Sequence, residues 1–279
     1  MKNRMKILAA SVLILCAAVI GFAVLYFVRG DGKNKNGLSG TKRTALKKPT
    51  QKPTQKPTQK PEKKTYIVVI DPGHQREQNT SEEPIGPGAS ETKPKVSSGT
   101  SGVSSGLQEH ELTLQVSKKL KKELKKRGYT VYMTRTTADV NISNAERAGY
   151  AKKMGADIFI RIHANGSESH AVRGALSMAP SKKNPYAASL AVKSQKLSRM
   201  VLDEYCKATG MKNRGVMLTD QMSGINWASM PVTILEMGFM SNPKDDMAMK
   251  EKEFQEKMAA GAAAGIDRYV QELESEEDR

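Results

Sequence analysis

Tyr66-Ile67-Val68-Val69-Ile70-Asp71-Pro72-Gly73-His74 is the stretch of this 279-residue chain that decides its fold. From Tyr66 to Ile70 the residues are apolar without alternation, which suits a strand buried on both faces. The run then meets Asp-Pro-Gly, which turns the chain. A strand covered on both faces needs helices to cover it, and helical patterns follow. Between Glu109 and Arg127, Leu112, Val116, Leu120 and Leu124 recur at helical spacing with lysines between them, and Gly128 stops the pattern. Tyr129–Thr134 alternates as a strand. Ser143 with Glu146 forms a capping box for a helix through Met154, ended by Gly155. Asp157–His163 reads as a strand, Ala187–Thr209 as a helix and Val232–Glu236 as a strand. The last helix covers about Lys252 to Leu273, where Gly261, Gly265 and several alanines suit close packing. Residues 75–106, rich in Gly, Ser, Pro and Glu, read as a long loop. The expectation is an α/β fold: a single catalytic domain over 65–279, with a central, mostly parallel sheet flanked by helices on both faces.

Upstream of this domain the composition changes twice. Ile7 to Val28 is an unbroken run of 22 apolar or small residues after Lys2, Arg4 and Lys6. As a helix it would measure about 33 Å, enough to cross a bilayer core. It ends in Leu-Tyr-Phe-Val-Arg, without the small-residue site of a cleaved signal peptide, so residues 1–28 read as a cytoplasmic N-terminus and an uncleaved transmembrane signal anchor. Residues 29–64 read as linker, in which Lys-Pro-Thr-Gln repeats with period four from Lys48, Lys52 and Lys56 and Lys60-Pro61 begins a fourth copy. Proline at that spacing excludes helix and favours an extended, stiff linker. Cys16 lies in the apolar run and Cys206 stands alone in the domain, so a disulfide between them is not expected.

The net charge of +16 belongs to the tail. Residues 1–64 carry 15 Lys/Arg against 2 Asp/Glu, while residues 65–279 carry 30 against 27. A nucleic-acid-binding domain would place its basic patch on the fold itself, so no nucleic-acid partner is expected.

In sheets of this kind functional residues collect where strands give way to loops. His74, His163 and Glu236 stand at such ends, and the chain has only four histidines. Each alone reads as a hydrogen-bonded structural residue. Together, two histidines and a carboxylate give a catalytic zinc three protein ligands and leave a fourth position for water, with a second carboxylate as base. Spacing leaves the carboxylate ligand open: Glu77 forms His-x-x-Glu with His74, as in zinc carboxypeptidases, while Glu109 opens the helix after the long loop. His110 follows Glu109 and points about 100° away around the helix, which suits a surface or supporting role. His170 lies in a polar loop and reads as solvated. The lysines of 118–126 read as the wet face of an amphipathic helix.

Four blocks occur in order: Val69-Ile70-Asp71-Pro72-Gly73-His74, Gly106-Leu107-Gln108-Glu109-His110, Arg161-Ile162-His163-Ala164-Asn165, and Leu235-Glu236-Met237-Gly238-Phe239-Met240-Ser241-Asn242. Jointly they resemble the zinc-dependent N-acetylmuramoyl-L-alanine amidases of the amidase-3 family over about residues 66–270. The resemblance implies zinc bound by His74, Glu109 and His163, with Glu236 catalytic. It implies hydrolysis of the amide joining N-acetylmuramic acid to L-alanine in peptidoglycan. The chain departs from the family pattern at Gln75, Met237, the long loop 75–106 and the segment Gln221–Ser229, none of which removes a ligand or the base. The rival expectations are a zinc peptidase or carboxypeptidase acting on wall peptides, with Glu77 as ligand, and an inactive wall-binding module. More basic residues follow the apolar run than precede it, which by the positive-inside rule points the domain inward. A peptidoglycan substrate points it outward, and the expectation is a single-pass membrane protein with its catalytic domain outside the cytoplasm. The basic linker then reads chiefly as a spacer, and its lysines also suit anionic wall polymers.

Overall fold

A computed structural model describes residues 64–279; the expected anchor and linker lie outside the described residues. The opening stretch forms β1 (Ile67–Pro72), buried almost throughout. Two short strands follow, β2 (Asn79–Pro84) and β3 (Thr92–Val96), and then α1 (Glu109–Lys126), β4 (Thr130–Met133), α2 (Asn144–Lys153) and β5 (Ile158–Asn165). Beyond them come β6 (Ala175–Ala179), α3 (Ala191–Thr209), β7 (Asn213–Leu218), the single turn α4 (Ser223–Asn226), β8 (Val232–Phe239), α5 (Pro243–Lys250) and α6 (Lys252–Glu277).

Six strands form one sheet in the order β4-β1-β5-β8-β6-β7. All neighbours run parallel except β6 and β8, which are antiparallel. The expected α/β class is therefore observed. Because strand residues alternate between faces, the continuous apolar runs feed two cores. Val68, Ile70, Ile160, Ile162 and Leu235 pack with α1, α3 and α6, while Val69, Phe159, Val232 and Ile234 pack with α2 and the α4 segment.

Local signals placed several ends correctly. The Ser143–Glu146 capping box is present in full at the start of α2. Gly128 and Gly155 take left-handed φ values of 91° and 66° just past α1 and α2, where glycine costs least. On α6, a Cβ at Gly265 would lie 2.3 Å from the Cα of Val201 on α3, so the two helices meet backbone to backbone as the glycines imply. Cys206 is buried on α3 as a free thiol.

Three expectations need correction. Residues 75–106 are not merely loop: β2 and β3 pair as an antiparallel hairpin. Its Ile85 is buried, Lys95 O accepts a hydrogen bond from Asn144 Nδ2 at 2.8 Å, and Pro84 O accepts one from Trp227 Nε1 at 2.9 Å. Composition hid these strands because they have one hydrogen-bonded neighbour each and little apolar content. β6 and β7, absent from the sequence reading, extend the sheet beyond β8, and the α4 and α5 turns flank that strand in the chain. β5 and β8 also run further than expected, to Asn165 and Phe239.

Asp71 is fully buried at the end of β1 and pairs in register with Arg161 on β5. Its carboxylate accepts from Arg161 Nε at 2.8 Å, from Arg147 Nη1 of α2 at 2.9 Å, and from the Thr134 hydroxyl. Burial alone would push this carboxyl up, but the two guanidiniums outweigh it and hold it well below the usual carboxylate range. The pairing is therefore complete at neutral pH and is lost only as pH falls beneath that range. Asp71→Asn leaves both guanidiniums buried without their counter-charge. It should lower the unfolding free energy at neutral pH by about 3–5 kcal/mol in a urea titration, a loss that shrinks in acid.

Candidate active site

The turn after β1 sets the first donor. His74 has φ 58°, a left-handed conformation unfavourable for a residue with a side chain. Carbonyl contacts hold it there. Arg135 donates to Pro72 O at 2.9 Å and Gly73 O at 2.8 Å, and Arg147 donates to Pro72 O at 2.9 Å and His74 O at 3.0 Å. Gly73 is required by the next ring, because a Cβ there would fall 2.4 Å from His163. Gln75, a departure from the family pattern, is buried, and its side-chain oxygen ties the turn to Ile142 N and Arg147.

His74 Nδ1 lies 2.9 Å from Ser97 O, an acceptor that places the ring proton on Nδ1 and leaves Nε2 as a lone pair in the neutral ring. Nε2 then faces Glu109 Oε1 at 3.1 Å and His163 Nδ1 at 3.2 Å, and His163 Nδ1 lies 3.3 Å from Glu109 Oε1. Backbone donors orient Glu109: Thr100 N gives to Oε2 at 2.9 Å and Ala164 N to Oε1 at 3.0 Å. Burial alone would raise the Glu109 carboxyl, yet the two imidazoles hold it well below the usual range. Burial pushes His163 down to about 4, so its ring is neutral at physiological pH.

Two imidazole nitrogens and a carboxylate oxygen converging on one point could hold a metal ion between them. Tetrahedral zinc at ordinary Zn–N and Zn–O lengths of about 2.0–2.1 Å would set its ligands about 3.3–3.4 Å apart. The observed separations of 3.1–3.3 Å fit that donor set. Glu236 is the in-register neighbour of His163 on β8. It is buried, and its Oε2 meets no hydrogen-bond partner among the described residues. Burial, and then the Glu109 carboxylate, push Glu236 up to about 8, while Arg161 opposes them. These four residues line a cleft of about 370 Å³ with Ser97–Thr100, Asn144, Arg161 and Met222–Gly224.

His74, Glu109, His163 and Glu236 are thus brought together, and Glu77 is not. Glu77 is exposed and lines a separate polar depression with Arg76 and Asp139. The carboxypeptidase-like alternative built on Glu77 loses its ligand. His110 is buried rather than on the surface, its carbonyl accepting from Arg135 Nη2 at 2.7 Å. His170 is exposed as expected, with Nδ1 2.6 Å from Ser241 O. Sequence reasoning missed Ser97, Thr100, Arg135 and Arg147, which orient the donors. Only the Arg147 position, inside a capped helix with an otherwise apolar inner face, carried a signal that could have found one of them.

A His/Glu/His donor cluster beside a buried carboxyl, at the loop edge of an α/β sheet, is the arrangement of a metal-dependent hydrolase. The chain belongs to the N-acetylmuramoyl-L-alanine amidase family, whose model matches residues 68–268. Among its relatives, N-acetylmuramoyl-L-alanine amidase AmiC of Neisseria meningitidis serogroup B is 25% identical over 240 residues, covering 73% of this chain and 52% of that protein. LytC of Bacillus subtilis, another such amidase, is 26% identical over 167 residues, covering 60% of this chain and 32% of that protein. The chain therefore spans about half the length of the first and a third of the second. The crystal structure of the amidase Ami1 from Mycobacterium smegmatis superposes with a TM-score of 0.67 at 26% identity, covering 74% of this chain and 97% of that one.

The two candidate carboxylate ligands separate cleanly by experiment. Glu109→Ala should reduce zinc affinity by orders of magnitude in a competition titration, because two histidines remain. Glu77→Ala should bind zinc like the parent protein. Full zinc binding by Glu109→Ala would refute this site.

Proposed function

We propose that the protein is a zinc-dependent N-acetylmuramoyl-L-alanine amidase, cutting the amide between N-acetylmuramic acid and L-alanine in peptidoglycan. One observation carries the reading. Two imidazole nitrogens and a carboxylate oxygen converge within 3.1–3.3 Å, and a buried carboxyl, one oxygen of which has no partner among the described residues, opens into the same cleft. The family membership and the names of the relatives supply the substrate.

His74, Glu109 and His163 would hold the zinc. When bound, it supplies Lewis acidity, which activates water near neutral pH and polarises a carbonyl. Glu236 is the residue placed to move the proton. It accepts one from the attacking water as oxygen adds to the amide carbon. It then returns that proton to the nitrogen as the carbon–nitrogen bond breaks, so one group serves as base and acid. Its raised carboxyl suits that exchange near neutral pH better than an ordinary glutamate would. An inactive wall-binding module would have no need of Glu236 buried with an unpartnered oxygen, which favours the enzyme.

The apolar run 7–28 and the linker 29–64 extend the proposal: a single-pass anchor in the cell membrane and a spacer presenting the domain to peptidoglycan outside the cytoplasm. A reporter fused after Arg279 should be active on the outer side in the native host, and a cytoplasmic signal would overturn this orientation.

Glu236→Gln keeps the size of the side chain and removes its ability to take a proton. Purified with stoichiometric zinc, it should release muramoyl-linked peptides about 10²–10⁴-fold more slowly than the parent protein, with new ends identified by mass spectrometry. Undiminished turnover by this variant would sink the mechanism.

A further inference from the structure

Arg161 neither holds the cation nor moves the proton, yet it lines the same cleft. Only 4% exposed, it donates from Nε to Asp71 at 2.8 Å and from Nη2 to Asn144 Oδ1 at 2.7 Å. Its third nitrogen, Nη1, donates to no protein group among the described residues. That nitrogen lies against Gly224, where a Cβ would fall 1.5 Å from it. Glycine at 224 is thus what gives Nη1 room at the cleft wall. Both residues belong to the parts of the cleft that the metal chemistry does not explain, and Gly224 sits in the segment 221–229 that departs from the family pattern.

The hydrogen bonds say what Nη1 faces. Arg147 and Arg161 share the carboxylate of Asp71, Arg135 spends its donors on carbonyls and the Thr113 hydroxyl, and the other buried carboxyls of the cleft, Glu109 and Glu236, accept nothing from Nη1. An unpaired guanidinium donor in such surroundings favours an anionic oxygen over a neutral one. Position narrows the choice. Arg161 and His163 are two apart on β5 and share a face, so their Cα atoms are about 6–7 Å apart. An oxygen held at Nη1 therefore belongs to the substrate within a residue or two of the bond being cut.

We propose that Arg161, uncovered by Gly224, is a specificity contact that takes a carboxylate of the peptide part of the substrate, next to the scissile amide. This rests on the amidase reading, and one experiment tests the two separately. The probes are a muramoyl peptide with free carboxylates and the same compound with those carboxylates amidated. Hydrolysis of either by the full-length protein supports the amidase reading; hydrolysis of neither overturns that reading and this inference with it. KM for the acid should be roughly ten- to hundred-fold below KM for the amide, the usual worth of a charged hydrogen bond. Gly224→Ala, which places a methyl group where Nη1 lies, should raise KM for the acid toward that of the amide and leave KM for the amide nearly unchanged. If Gly224→Ala fails to fold, KM of the parent protein for acid and amide still decides. Equal KM for acid and amide in the parent protein would overturn the proposal. So would an equal rise for both probes in Gly224→Ala.

Discussion

The carboxylate of Asp71 is buried between Arg147 of α2 and Arg161 of β5, and the site's geometry hangs on that bridge. Removing such ions from water costs several kcal/mol each, so the arrangement persists because the Asp71 carboxylate is met by both guanidiniums and the Thr134 hydroxyl. Arg147 converts this requirement into position. Having bound Asp71, it spends its remaining donors on Pro72 O, His74 O, Gln75 Oε1 and Ile142 O. A charge pair that joins a strand to a helix thereby also fixes the turn that carries the first metal-site donor.

The rest of the donor set is arranged in the same indirect way. Ser97 O settles which nitrogen of His74 is free, and Thr100 N occupies one oxygen of Glu109 so that the other faces the histidines. Both come from the segment after β3. The insertion between β1 and α1 is therefore part of the site's support, and a Cβ at Gly99 would already crowd Glu109 and His74. Since these contacts exist within the protein itself, cation binding need not build the site, and its free energy is available for affinity.

Much of this was legible in the sequence because it was strongly periodic or strongly punctuated. β1, β5 and β8 are rich in apolar residues, α1 and α2 carry clear spacing or a capping box, and His74, His163 and Glu236 follow from the ends of the apolar runs. β7 was not legible: it is an edge strand, exposed along most of its length, with no core face to impose a pattern. Nor were the hairpin strands, whose order comes from contacts with Asn144 and Trp227 far along the chain. The choice of Glu109 over Glu77 could not be read from spacing, because it depends on how a loop returns Thr100 and α1 to the turn. Of the two roles the sequence left to His110, the structure shows the supporting one, because its carbonyl receives the Arg135 that also holds the turn.

The order of the strands has a kinetic side. Val68 pairs with Ile158, Phe159 with Val232, and Met178 with Ile234, so the central sheet closes only when segments distant in the chain meet. Loop-closure entropy must be overcome before those pairings return any stabilisation, which makes parallel sheets slow to form. The β2–β3 hairpin is the exception, a local pairing able to form within microseconds. The two histidines of the cluster, one after β1 and one on β5, come together only with the slow pairing. A nascent chain would therefore acquire competence for its cation late, in the same step that completes the central sheet.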